Sequence, residues 1–529
     1  MTVISSISSL PPLAVARIAA PQPGVGTATE SPAALSSPAS IVTLHQDNNT
    51  INAQTYTSRG VIAEPDAPLA WEYTQPDNVS FRMGGNFASA SASSRFRGLG
   101  ETLLLQLAQS NQNISQSVIR SSTGRALEPA ELAAAQARIH GGVADNSINL
   151  TLKTASGKTV QITLSSQDNA LAVQAQVQGG DLSKEELAAL GAMAEGFESA
   201  IQGLTAVPPQ LKLEALAQFD TDVFSSVDLT TRFKLDDDST QSLELHADAN
   251  QRQVRMSGVA GDFDMSVDLK NAAILGDSNQ KAKALASYLR QIEAARDRGD
   301  GDQNLLSMFE SAFKTVHSNY PESHADNGLQ ALTAIKLTDT DRRVLTGLAD
   351  FSATVSEKTV DGNPARPLEL DSFTYGLSQA TQTKGQDQFN RKVVQNQQSH
   401  LTAQYHKPLY AGQKLELTND PQSQNYQYYQ IDDRASSTSS IGYAKGKLVE
   451  ASVSHSASQS TRISKYVMGR LDEDNVTPVS SSKTQNLLGL LQQALQEDKL
   501  AKQGQGTSNA FAALQDKVML VGSPMEIKG

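Results

Sequence analysis

The run from Ile148 to Leu204 leaves fewer folding options than any other stretch of this chain. Apolar residues alternate at Ile148, Leu150 and Leu152, pause at Ala155-Ser156-Gly157-Lys158, and resume at Val160, Ile162 and Leu164. A third run follows, with Leu171, Val173, Ala175 and Val177 on one face. A period of two predicts three strands whose side chains divide between one apolar and one wetted face. After Gly179-Gly180 the step changes to three and four, through Leu187, Leu190, Ala194, Phe197, Ile201 and Leu204. Ser183 and Glu186 stand at capping-box spacing just ahead of that stripe, so a helix starts there. An apolar sheet face cannot remain in water, and the adjacent helix carries a matching apolar face. The unit is read as a three-stranded meander covered by one helix.

The same grammar returns downstream. Val227, Leu229, Thr231, Phe233 and Leu235 alternate, as do Leu243, Leu245 and Ala247, then Val254 and Met256, then Phe263, Met265, Val267 and Leu269. Two helical patterns follow, Asn279 to Arg296 and Asn304 to His317. Phe197-Glu198-Ser199-Ala200 is echoed at Phe309-Glu310-Ser311-Ala312, a match too short to establish a duplication. Upstream, Trp71 and Tyr73 mark the first burial or docking point, and Leu103, Leu107, Ile114 and Val118 fit one helix over 99–119. Beyond Pro321 the runs are short, alternating and rich in Gln, Ser and Tyr. The tail returns to a helical step at Leu487, Leu488, Leu491 and Leu495, then at Phe511, Leu514 and Val518.

These patterns predict an α+β chain: antiparallel β-meanders each followed by packing helices, plus a β-rich C-terminal domain. The expected divisions are a disordered leader over 1–60 and a mixed segment over 61–140. Sheet-and-helix units follow over 141–220 and 221–320, then a β-rich polar domain over 321–475 and a helical tail over 476–529. Exposed strand edges in the polar domain offer a place for a protein partner to pair.

Composition narrows the function classes. With 44 basic against 56 acidic residues the net charge is −12, which argues against a nucleic-acid partner, because no basic face is available to displace counterions. No apolar run reaches the length of a membrane span. The chain has no cysteine, which excludes disulfides, thiolate metal sites and cysteine nucleophiles. The opening Thr2-Val3-Ile4-Ser5-Ser6-Ile7-Ser8-Ser9-Leu10 carries no charge and does not read as a Sec signal. Either a cytoplasmic location or export by a non-Sec route is consistent with it.

Catalytic motifs fail one by one. Gly157-Lys158-Thr159 ends like a phosphate-binding loop but lacks the leading glycine and falls in a hairpin. Gly98-Leu99-Gly100 opens a helix, yet Leu103 stands where a dinucleotide fingerprint needs its third glycine. Asp300-Gly301-Asp302-Gln303-Asn304 lies between two helical patterns and sets Asp300, Asp302 and Asn304 at alternate positions, as calcium ligands stand in a helix-loop-helix site. Leu305 and Ser311 break the remainder of that pattern, so a solvated turn is the competing reading. Arg298-Gly299-Asp300 spells an integrin-type tripeptide that is common by chance, and Asp236-Asp237-Asp238 and Asp472-Glu473-Asp474 read as solvated turns. His400 and His406, with Tyr405, Tyr410 and Tyr426 nearby, form a candidate polar patch on one strand face.

The opening Met1 to Ala20 and the segment Asp181 to Leu204 resemble a group of uncharacterised bacterial proteins, some of which carry a lactate-dehydrogenase label. That resemblance implies a nicotinamide-binding doubly wound domain with a catalytic histidine and a substrate-binding arginine. No glycine fingerprint and no alternation of strand and helix accompanies it, so no residue receives either role. The expectation is a non-catalytic bacterial binding or structural-interaction protein. An NAD-dependent oxidoreductase and a calcium-binding protein are the alternatives.

Overall fold

The computed structural model describes residues 69–527 except 75–76, 90–92, 123, 143, 236–238, 319, 321–334, 411 and 504–509. The leader over 1–60 and Asp236-Asp237-Asp238 lie outside the described residues. From Asp66 to Gly529 the chain forms one compact unit. The segments divided at 140, 220, 320 and 475 all fall within that unit.

The α+β class holds, with one large antiparallel sheet at its centre. Strand β1 (Leu69–Trp71) pairs with β2 (Ile114–Arg120), and β2 pairs with β5 (Ala170–Gln178). The meander then runs back through β4 (Thr159–Gln167) to β3 (Asn146–Thr154). On its free side β3 takes β6 (Phe224–Lys234), and β7 (Thr240–Asp248), β8 (Gln251–Ser257) and β9 (Gly261–Asp268) follow in sequence order. Beside β9 lies β10 (Asp350–Glu357), although two long helices intervene in the chain. The short β11 (Val360–Asp361) pairs with the start of β12 (Leu370–Asp387). The sheet ends in β13 (Asn390–Pro408), β14 (Tyr426–Ala444), β15 (Lys447–Val467) and β16 (Arg470–Asn486). The five strands from β12 to β16 hold 17 to 21 residues each, so they reach roughly 60 Å. Two-residue turns at Lys445-Gly446 and Met468-Gly469, with positive φ at every position, join the last three strands as twisted hairpins require.

Among the described residues, helices cover one face of this sheet. Helix α1 (Asn78–Phe87) and α2 (Leu99–Ser110) come first, and α2 lies over β4 and β5. Helix α3 (Pro129–His140) is the exception: it packs on the opposite face, where Ile139 meets Ile119, Ala170 and Ala172. Helix α4 (Lys184–Leu204) and the single turn α5 (Glu214–Ala217) continue the main layer. Helix α7 (Gln303–Val316) covers β8 to β10, and α6 (Ser278–Gly299) covers β12 and β13. The turn α8 (Asp339–Arg342) precedes β10, while α9 (Leu488–Lys502) and α10 (Ala510–Val518) lie over β15 and β14. One core runs beneath this layer from Val79 to Ile527, and a second, around Val393, Ile441, Val453 and Leu491, lies under α9 and α10.

Three segments differ from the sequence reading. The helix over 99–119 stops at Ser110, because Asn111 turns left-handed (φ 51°), and Ile114 to Arg120 is a strand. Residues 476–486 belong to β16, so the helical tail begins only at Leu488. Helix α4 is one of a pair: α2 lies nearer the strands and α4 packs beside it. Gly100 makes that approach possible, since a Cβ there would fall 2.4 Å from Ile201 and 2.9 Å from Phe197.

Candidate functional site

Strands alternate, so a sheet covered by helices on one side presents its other side chains to solvent. Here that second face is polar across ten strands. Following the register from β6 to β16, the outward residues in one row are Asp228, His246, Gln253, Ser266, Ser352, Ser378, Gln398, Ser436, Ser456 and Ser482. The next row runs Glu244, Arg255, Asp264, Thr354, Gly376, His400, Arg434, Ser458 and Ser480. At ~4.8 Å per strand the first row spans roughly 45 Å. Two shallow hollows of about 490 and 480 Å³ indent this face, and Thr354 lines both.

Several charges on the face are paired with one another, and hydroxyl and amide groups make up most of the rest of its chemistry. Arg255 meets Asp264 at 3.0 Å, and Lys358 meets Asp262 at 2.5 Å. His400 and Arg434 share Asp432, at 2.9 and 3.1 Å. The Arg434 guanidinium holds the Asp432 carboxyl below its usual range; burial opposes this, and His400 adds to the lowering. His246 sits between Asp228 (2.6 Å) and Asp248 (3.3 Å). Burial disfavours its charged form, but the two carboxylates outweigh that and raise its pKa.

The sequence candidates scatter. Asp300 caps the C-terminus of α6 in the left-handed region and pairs with Lys407 at 3.2 Å. Asp302 is the N-cap of α7, accepting from the Leu305 N–H at 2.7 Å, and exposed Asn304 lies in the first turn. Asp300 and Asp302 thus serve the helix-to-helix joint, and no group of three or more His, Asp or Glu side chains among the described residues could hold a metal ion. In the adjoining tripeptide, Arg298 binds Asp433 and Thr461, while Gly299 is packed against Phe373. Asp472, Glu473 and Asp474 are not a turn but part of β16, where they pair with Lys465 and Arg462 across the hairpin.

The glycine motifs are structural. Lys158 reaches Glu186 at 2.9 Å and ties the β3–β4 turn to the start of α4. Burial opposes ionisation of Glu186, but Ser156, the Ser183 N–H and Lys158 together pull its pKa down to about 2. Gly98 is the N-cap of α2 and donates its N–H to the buried Glu198 carboxylate at 2.6 Å, so a carboxylate from α4 sits at the positive end of α2. Nothing in the sequence links Glu198 to residue 98; their contact follows from the close packing at Gly100.

Of the histidine patch, His400 and His406 do share a face, but Tyr405 points the other way and stacks on Tyr429 at 5.0 Å. A third hollow, about 360 Å³, lies between α6 and the segment 516–526. Its charges are largely spent internally: Lys283 pairs with Asp516 at 2.6 Å, and Arg298 with Asp433.

Every strand pairing described is antiparallel, whereas the dinucleotide domain implied by a dehydrogenase needs a parallel, doubly wound sheet. No helix among the described residues is long and apolar enough to cross a membrane. In comparison with known proteins the chain matches no family model, no curated protein and no solved structure.

Proposed function

We propose that this is a non-catalytic bacterial binding protein that engages a protein partner through the open polar face of its sheet. The carrying observation is the ten-strand row from Asp228 to Ser482, which no helix among the described residues covers while helices cover the other side. A face roughly 45 Å wide suits a macromolecular footprint of about 800 Å² per partner better than it suits a metabolite. Paired charges and a net charge of −12 disfavour a polyanion. The sheet's edges are poorer docking points. At one end β1 has only three residues, and at the other β16 carries Pro478, which has no N–H to offer a new strand.

The enzyme alternative makes an opposite prediction for nicotinamide cofactor. Fluorescence titration with NADH should give no saturable signal up to ~1 mM, the upper end of ordinary cofactor and substrate affinities. Saturable binding at micromolar concentration would replace the binding-protein reading with the oxidoreductase one.

A further inference from the structure

The open face ends in a buried polar knot whose geometry calls for a charged histidine. His406, on β13, has a side chain only 1% exposed. Its Nδ1 lies 2.7 Å from Asp371 Oδ1 and its Nε2 lies 3.4 Å from Glu369 Oε2. A neutral imidazole has one N–H and would turn its other nitrogen's lone pair toward a carboxylate oxygen. Only the imidazolium donates to both.

Both carboxylates belong to the chain that covers the end of the sheet. The segment 362–371 lies against Tyr426, Tyr428 and Tyr466, the rings of a small separate core. Tyr426 donates to Glu369 at 2.6 Å, Tyr428 donates to the Leu370 carbonyl at 3.0 Å, and Arg366 lies 4.1 Å over the Tyr466 ring. Apart from Asn363, which exchanges amide hydrogen bonds with Gln424, and Arg366, which donates to the Gly469 carbonyl, the ties of this cover run through Glu369, Leu370 and Asp371. The groups facing His406 are therefore Asp371 at the start of β12, Glu369 before it, and Tyr426 and Tyr428 from β14. Arg366 stands behind Glu369 at 3.9 Å.

We propose that protonated His406 is a latch: it holds the 362–371 segment against the tyrosine cluster, and its deprotonation loosens that segment from rings that Leu415 and Leu417 continue to cover. The sign follows from the surroundings. Burial disfavours the charged ring, but Asp371 and then Glu369 more than compensate, so the folded-state pKa lies above the ordinary 6.5. A group raised in this way stabilises fully below its unfolded pKa and loses that contribution as the pH climbs through its folded pKa. The latch is shut in mild acid and released in mild alkali. It does not depend on what binds the open face.

Hydrogen exchange of the full chain between pH 6 and pH 9, corrected for intrinsic rates, tests this. Protection of amides 362–371 should fall by about tenfold for each unit by which the histidine pKa is elevated, while β3 to β5 stay unchanged. His406→Gln should abolish the pH dependence, and Glu369→Gln should move its midpoint lower. The His406 ring resonance, assigned by its loss in the Gln variant, should titrate above 6.5. Flat protection across this range, or a ring that titrates at or below 6.5, overturns the latch even if the Gln variant fails to fold.

Discussion

Asp341→Asn should destabilise the protein by about 3–5 kcal/mol, the cost of leaving one member of a buried ion pair without its partner. Asp341 is wholly buried and the Arg391 side chain is 5% exposed. The guanidinium grips the carboxylate with both Nε and Nη2, at 3.2 and 2.9 Å from Oδ2. The same carboxylate closes the capping box of α8, accepting from the Thr338 N–H at 2.7 Å. Arg391 also donates to the Gln388 carbonyl at 2.6 Å and lies 3.8 Å over the Tyr443 ring. The pair thus pins the chain ahead of β10 to the start of β13. Urea denaturation of Asp341→Asn, Arg391→Met and an apolar double variant checks this. The double variant should lose less than the sum of the singles, because removing both charges leaves neither one stranded. Additive losses would mean that the two residues do not act on each other.

Phe197→Ala should cost about 3–5 kcal/mol, through lost burial and the cavity left behind. Phe197 is completely buried in the core shared by α2, α4 and the first meander, against the face that Gly100 keeps clear. Little can collapse into the space, because the nearest neighbours lie on two packed helices and a sheet. Lys184→Ala, at an exposed position in the first turn of α4, should stay within about 0.5 kcal/mol. Equal small effects in thermal unfolding would place α4 elsewhere.

What the sequence made legible was period, and what it hid was register. The alternation at Ile148, Ile162 and Val173 marks strands that the structure contains, and the stripe through Phe197 marks a helix. Ile114 and Val118 misled because a step of four also fits a helix, while Asn111 ends α2 three residues earlier. Strand β16 gave no signal, since residues 470–480 are exposed on both faces and show no apolar alternation to read. Its strand character comes from pairing with β15. The serines at 452, 454, 456, 458 and 460 were visible as a polar alternation, but only the register aligns them with Ser436, Ser378 and Ser266 into one surface. Partners such as Asp341 and Arg391, fifty residues apart, carry no local signature at all.

The most direct test of the proposed binding face is site-specific photo-cross-linking in cells that express the protein. A photoreactive residue would replace Ser378 or Ser436 on the open face, with Ala286, an exposed position on α6, as the control. Discrete adducts with one partner should form from Ser378 and Ser436 and not from Ala286. Adducts from Ala286 alone, with none from the two serines, would contradict the open-face account and move the binding surface to the helical layer.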